Sequence, residues 1–165
     1  MSRIVPFLWY SEKAEEAAAF YASVIPNSKV NSVSAMQADS PSGPPGSVKV
    51  VDFTLAGQPF MAMTASGGDK FNHSVSLMIE CEDQKEIDRL WDALGAGGQT
   101  EACGWLKDRY GLSWQITPKV LNEMMKDKDK ARGKRVAEAM MKMVKLDIAA
   151  LQKAYEAKSE AAQPK

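Results

Sequence analysis

The chain has 165 residues, 45% of them hydrophobic and 25% charged, which is enough apolar material for one domain or one domain with an appendage. Lysine plus arginine and aspartate plus glutamate balance at 21 each, so overall charge gives no reason to expect nucleic acid or an anionic membrane as partner. The apolar N-terminal stretch is too short for a signal peptide or a membrane span, no later segment is long enough to span, and two cysteines without an export signal, Cys81 and Cys103, point to reduced thiols in the cytoplasm.

Ile4–Tyr10 is apolar without helical spacing and predicts a buried strand. Ser11 is the expected N-cap of a helix with Glu12, Glu15 and Glu16 in its first turns, where negative charge suits the helix dipole. Ala14, Ala17, Ala18, Phe20, Tyr21 and Val24 supply its propensity and apolar face, and Pro26-Asn27 stops it. Lys29–Ala38 alternates as a strand, and Asp39–Ser47, with three prolines and two glycines, predicts a mobile loop. Val48–Leu55 and Phe60–Ala65 are strands joined by the turn Gly57-Gln58-Pro59, and Ser66–Lys70 is a polar linker.

The same order then begins again. Val75–Glu80 predicts a strand, and Asp83 caps a helix bearing Ile87, Leu90, Trp91 and Leu94 at i, i+3, i+4 and i+7. Gly95–Gly98 ends that helix. Gln99–Cys103, Trp105–Arg109 and Leu112–Thr117 are three short strands separated by Gly104 and Gly111 and closed by Pro118. Strand, helix and three strands thus occur twice, with helix centres about 70 residues apart. The fold class this implies is α+β: two tandem βαβββ modules, about 1–66 and 71–118, form a curved mixed sheet with helices on its convex side. Together they make a paired domain, 1–118, followed by a helical extension, 119–165. In that extension Val136, Met140, Met143 and Val144 form one stripe. Asp147 caps a last helix with Ile148, Leu151 and Tyr155 on one face, and Ala161–Lys165 is expected to fray.

The segment Cys103-Gly104-Trp105-Leu106-Lys107-Asp108-Arg109-Tyr110-Gly111-Leu112-Ser113-Trp114-Gln115-Ile116-Thr117-Pro118 closely resembles the signature of PhnB-like members of the vicinal oxygen chelate (glyoxalase/bleomycin-resistance) superfamily. Phe20-Tyr21, Trp91 with Gly97-Gly98, and the tail from Val136 to Leu151 are similar to that group as well. The resemblance implies the paired-module fold, a ligand cavity under the curved sheets and a homodimer. Some members carry the name 3-demethylubiquinone-9 3-methyltransferase. Gly95-Ala96-Gly97-Gly98 follows a helix instead of a strand, so it reads as a helix stop and offers no methyl-donor loop.

Active members of the superfamily hold a divalent metal with four His/Glu side chains. The corresponding positions fall near Pro6, Met61–Met63, His73 and Gln115, of which only His73 is a good ligand, so neither a tight metal site nor any other cofactor is expected, nor glyoxalase or extradiol chemistry. His73 is a base or donor candidate, but it shares strand parity with Val75, Leu77 and Ile79, which favours a strand-edge or surface histidine. Ser113, Gln115 and Thr117 alternate with Leu112, Trp114 and Ile116, as Asp52 and Thr54 do with Val51, Phe53 and Leu55. The polar sets line either a pocket or a solvated outer face. Trp9 and Trp105 are candidates to clamp a planar ligand, whereas Trp114 reads as core.

Cys103 lies near Lys107 and Arg109 but has no base partner and reads as inert. Lys107-Asp108-Arg109 is either a strand-end charge network or a clamp on an anionic ligand. Residues 126–145 hold eight basic and three acidic side chains, net +5, without interleaved aromatics, which reads as a solvated helical face. The expectation for function is a metal-independent small-molecule binding protein with candidate ligand contacts Trp9, Asp52, Thr54, His73, Trp105, Ser113 and Gln115. The alternatives are an enzyme with a degenerate or weak metal site, using groups such as Asp52, His73 and Gln115, and an interaction module whose tail docks on a partner.

Overall fold

The computed structural model describes residues 2–157, and the chain divides into two units, Met1–Asn72 and His73–Lys165. In the first, the elements run β1 (Phe7–Tyr10), α1 (Ala14–Val24), β2 (Lys29–Ala35), β3 (Lys49–Leu55) and β4 (Gln58–Thr64). The sheet order is β1-β4-β3-β2, with β1 parallel to β4 and the other pairs antiparallel. Period-2 alternation decides which side is covered: Leu8, Tyr10, Val51, Phe53, Leu55, Phe60 and Ala62 are buried, as are Ala14, Ala17, Ala18 and Tyr21 of α1. The three alanines let the helix approach the sheet closely, and the hydroxyls of Tyr10 and Tyr21 are hydrogen-bonded at 3.2 Å inside.

Two expectations for this unit change. The strand expected to be buried from Ile4 starts at Phe7 and is buried on one face only, with Phe7 and Trp9 exposed on the other. Ser11 does not cap α1: the N-cap residue is Lys13, at φ 65°, without a side-chain cap. The capping oxygen comes from another strand instead, because Thr64 Oγ1 accepts from the Ala14 N–H at 2.9 Å and donates to Glu15 at 2.9 Å.

The second unit runs β5 (Leu77–Cys81), α2 (Gln84–Gly95), β6 (Gln99–Thr100), β7 (Trp105–Lys107) and β8 (Ser113–Pro118). Its order, β5-β8-β7-β6 with β5 parallel to β8, is that of the first sheet strand for strand. The duplication expected from element order is therefore present in the pairing. Asp83 caps α2 as expected, its carboxylate accepting from Glu86 N at 2.8 Å, while Glu86 reaches back to Glu82 N. Ile87, Leu90, Trp91 and Leu94 are buried against Leu106, Trp114 and Ile116. The strand expected over Gln99–Cys103 ends at Thr100. Cys103 and Gly104 lie at φ 60° and 80°, and their N–H groups donate to Met143 and Val144 carbonyls at 2.8 Å each.

Three helices follow: α3 (Lys119–Met125), α4 (Lys130–Met140) and α5 (Ile148–Glu156). Leu121, Met124, Val136, Leu146 and Leu151 form their core, with Val120, Met140, Met143 and Tyr155 packed on it. The expected stripe through Val144 is broken because α4 ends at Met140; Val144 is exposed and Leu146 is buried in its stead. Asp147 caps α5 as expected, accepting from Ala150 N at 2.9 Å. Gln84 ties this tail to α2: its amide N–H donates to Leu146 O at 3.1 Å and its oxygen accepts from Ile148 N at 2.9 Å. The expected fraying of Ala161–Lys165 lies outside the described residues.

Candidate functional site

The seven candidate residues separate by unit, and all but His73 lie on the sheet face away from the helix of their unit. In the first unit, Trp9, Met63 and Val50 form one cross-strand row, and Phe7, Met61 and Asp52 the next. Trp9 donates its indole N–H to Ala65 O at 3.1 Å, lies against Gly68, and keeps 40% of its surface exposed. Asn31 sits at a register shift in β2, and its amide donates to Asp52 at 2.8 Å and Thr54 at 3.2 Å. This face is a set of thioethers and aromatics with one polar corner. Asn31 belongs to that corner but was not singled out from the sequence, because a bulge that re-aims one side chain leaves no local signature.

In the second unit, Trp105 pairs with Gln115 and Lys107 with Ser113, so these four side chains share one face. Gln115 Nε2 donates to Ser76 Oγ at 2.8 Å. Ser113 is fully buried, and its hydroxyl is the one buried side-chain polar atom without a hydrogen-bond partner among the described residues. Of the two readings of this polar set, a solvated outer face does not hold for Ser113 and Thr117, which are buried, and Gln115 is half-buried. His73 stands in the turn before β5, not on the strand, with Val75 beside it exposed. Its Nε2 lies 2.8 Å from Glu101 Oε2, and its ring centroid 6.0 Å from that of Trp105. Glu101 was not singled out from the sequence because the pairing spans 28 residues.

Trp114 is core, as expected, and donates its indole N–H to Asp108 at 2.8 Å. Asp108 also accepts from the backbone N–H of Tyr110 and Leu112, so the Lys107-Asp108-Arg109 run is divided: the carboxylate turns to the core and Lys107 to the opposite face. Burial, with the carboxylate of Glu86 nearby, pushes the Cys81 thiol up to about 12, away from any nucleophilic role. Gly95 ends α2 and accepts from Gly98 N, as a helix stop does.

The residues at the superfamily's metal positions do not fit a divalent cation. Pro6 offers only a carbonyl, already accepting from Met61 N at 2.9 Å. Met61 and Met63 are soft thioethers, Gln115 has its amide on Ser76, and among the described residues no three of His, Cys, Asp or Glu converge as a ligand set.

The family model for 3-demethylubiquinone-9 3-methyltransferase matches residues 2–117. The chain belongs to this family. The PhnB protein from Bacillus cereus, named for the same methyltransferase, is 32% identical, with a TM-score of 0.61 over 71% of this chain and 99% of that one. Two further solved structures share the fold. PA1353 from Pseudomonas aeruginosa is 20% identical, with a TM-score of 0.53 over 72% of this chain and 98% of that one. The fosfomycin resistance protein FosX from Listeria monocytogenes, solved with Mn(II) and sulfate, is 16% identical, with a TM-score of 0.56 over 76% and 98%. Each unit is therefore a βαβββ module of the vicinal oxygen chelate fold. The family match stops within β8, so α3–α5 lie beyond it. No curated protein matches the chain. Among the described residues, no helix is long and apolar enough to cross a membrane.

Proposed function

We propose that this protein binds a small organic molecule without a metal on a sheet face directed away from the helix of its unit, the candidate contacts being Trp9, Asp52 and Thr54 on the first unit and His73, Trp105, Ser113 and Gln115 on the second. The observation that carries the reading is Ser113: a buried hydroxyl with no partner is costly, about 1–3 kcal/mol, and such groups are retained where they serve something beyond packing. The half-buried Trp105 on the same face suits an apolar or planar body, as the thioethers Met61 and Met63 do on the first unit's face. Pro, Met and Gln at the metal positions support metal independence.

Thermal-shift screening of the whole protein against metabolites in the presence of a chelator tests this, with a saturable rise in Tm expected for one ligand class. A rise in Tm with Mn(II) or Zn(II), accompanied by turnover of a substrate, overturns it. The His73–Glu101 pair favours a second reading, in which the imidazole moves a proton. That reading expects His73→Ala and Gln115→Ala each to abolish turnover without unfolding, and survival of turnover in both rejects it. The resemblance to PhnB-like proteins further supports a cytoplasmic homodimer, which mass measurement in solution checks.

A further inference from the structure

We infer that the second unit holds a subsite for an oxyanion, the carboxylate or phosphate group of the bound molecule, built from Lys107 and Ser113. The inference rests on the binding face proposed above and names the charge its ligand carries. Lys107 and Ser113 stand directly opposite on β7 and β8, with Trp105 and Gln115 as the neighbouring opposed pair. Opposed side chains start about 5 Å apart and alternate pairs about 7 Å apart, the span of an anionic head joined to a flat body.

Each member brings an unspent group. Among the described residues Lys107 has neither an ion pair nor a hydrogen bond from its ammonium. The Ser113 hydroxyl is buried with no acceptor for its proton. Ser76 Oγ accepts from Gln115 and keeps its own proton to donate.

Three carboxylates of this unit are engaged elsewhere. Asp108 is turned to the core beneath Trp114, Glu101 is held by His73, and Glu80 accepts from Asn122 at the far end of β5. One cation and two hydroxyl donors therefore stand on or beside neighbouring strands of one sheet, and the lysine is long and flexible enough to meet a ligand held at Ser113 across the pair.

Calorimetric titration of the full chain at low ionic strength with phenyl phosphate, benzoate and uncharged benzamide tests this. Either anion, or both, is expected to bind saturably, and which one binds distinguishes a phosphate from a carboxylate ligand. Benzamide is expected to bind about tenfold more weakly or not at all, since a charge-assisted hydrogen bond carries roughly that factor. Lys107→Met and Ser113→Ala should each weaken the anion about tenfold or more while leaving Tm near that of the unsubstituted protein, and Lys107→Arg should restore most of the loss. Lys128→Met, a surface control, should change nothing. Benzamide binding as well as the anions, unchanged affinity in Lys107→Met and Ser113→Ala, or equal loss in Lys128→Met would each overturn the subsite and leave the binding face intact. Failure of both anions to bind also overturns it, and the metabolite screen then decides separately whether the face binds anything.

Discussion

Trp114 and Asp108 meet at 2.8 Å in the core of the second unit, indole N–H to carboxylate, with Trp114 1% and Asp108 3% exposed. A buried carboxylate is tolerated here because the Tyr110 and Leu112 backbone N–H groups donate to it as well. Asp108→Ala strands two buried donors and one partly buried donor and should destabilise the protein by about 3 kcal/mol or more, whereas Asp108→Asn, which keeps an acceptor, should cost less. Urea denaturation of the two variants measures the difference.

The Glu15 carboxyl is subject to opposing influences. Burial pushes it up, but its own backbone N–H, the Thr64 hydroxyl and the Lys49 ammonium at 3.5 Å together hold it below its ordinary 4.5. A carboxyl lowered on folding adds stability that is present above its unfolded value and is lost as pH falls through the folded one. Tm measured from about pH 5 to pH 3 should therefore fall more steeply for the unsubstituted protein than for Glu15→Gln.

The two thiols should separate cleanly. Iodoacetamide near pH 8 is expected to modify the partly exposed Cys103 in the native state and to reach Cys81 only after unfolding, because burial holds the Cys81 thiol protonated. Mass spectrometry of the labelled peptides reads this directly, and native labelling of Cys81 would contradict its placement.

Gln84 should matter more than a helix-surface glutamine usually does. Gln84→Ala removes the ties to Leu146 O and Ile148 N and the contact to Asp88, and should cost about 1–3 kcal/mol. Hydrogen exchange should rise first in residues 145–151, with the β5–β8 pairing still protected.

Gly98 should accept no side chain. A Cβ there would lie 2.1 Å from Lys107 O and 2.9 Å from the Asp108 backbone, contacts that cannot relax without moving β7. Gly98→Ala is expected to destabilise by more than about 4 kcal/mol or to prevent folding, as followed by circular dichroism on heating.

Most of the scaffold was legible because periodicity is a local property. The alternation in Val51–Leu55 and the helical spacing from Ile87 to Leu94 each named a buried face, and the structure buries those faces. Turn residues marked Asp83 and Asp147 as caps for the same reason. What escaped is tertiary. No feature near Ser11 indicates that Thr64, about 50 residues on, supplies the oxygen for α1. Parity favoured a strand-edge or surface position for His73, and its side chain is half-exposed in the turn before β5. Alternation put Ser113 on the face shared with Gln115, where it lies, but gives no measure of how far other segments bury that face. Glu101 and Ser76 entered only through partners distant in sequence.

The docking of residues 143–148 onto Gln84, Cys103 and Gly104 has a consequence for how the protein is made. Every strand pairing of the first sheet is available once Thr64 has been synthesised, so that unit can close while translation continues. The second cannot complete its β6–β7 corner until a segment some forty residues downstream has left the ribosome, roughly two to eight seconds later at bacterial and eukaryotic rates of about 5–20 residues per second. During that interval the N–H groups of Cys103 and Gly104 and the apolar surface later covered by Leu146 stay open, which makes the half-made second unit the stage at which a chaperone, or a second nascent chain, finds its opportunity.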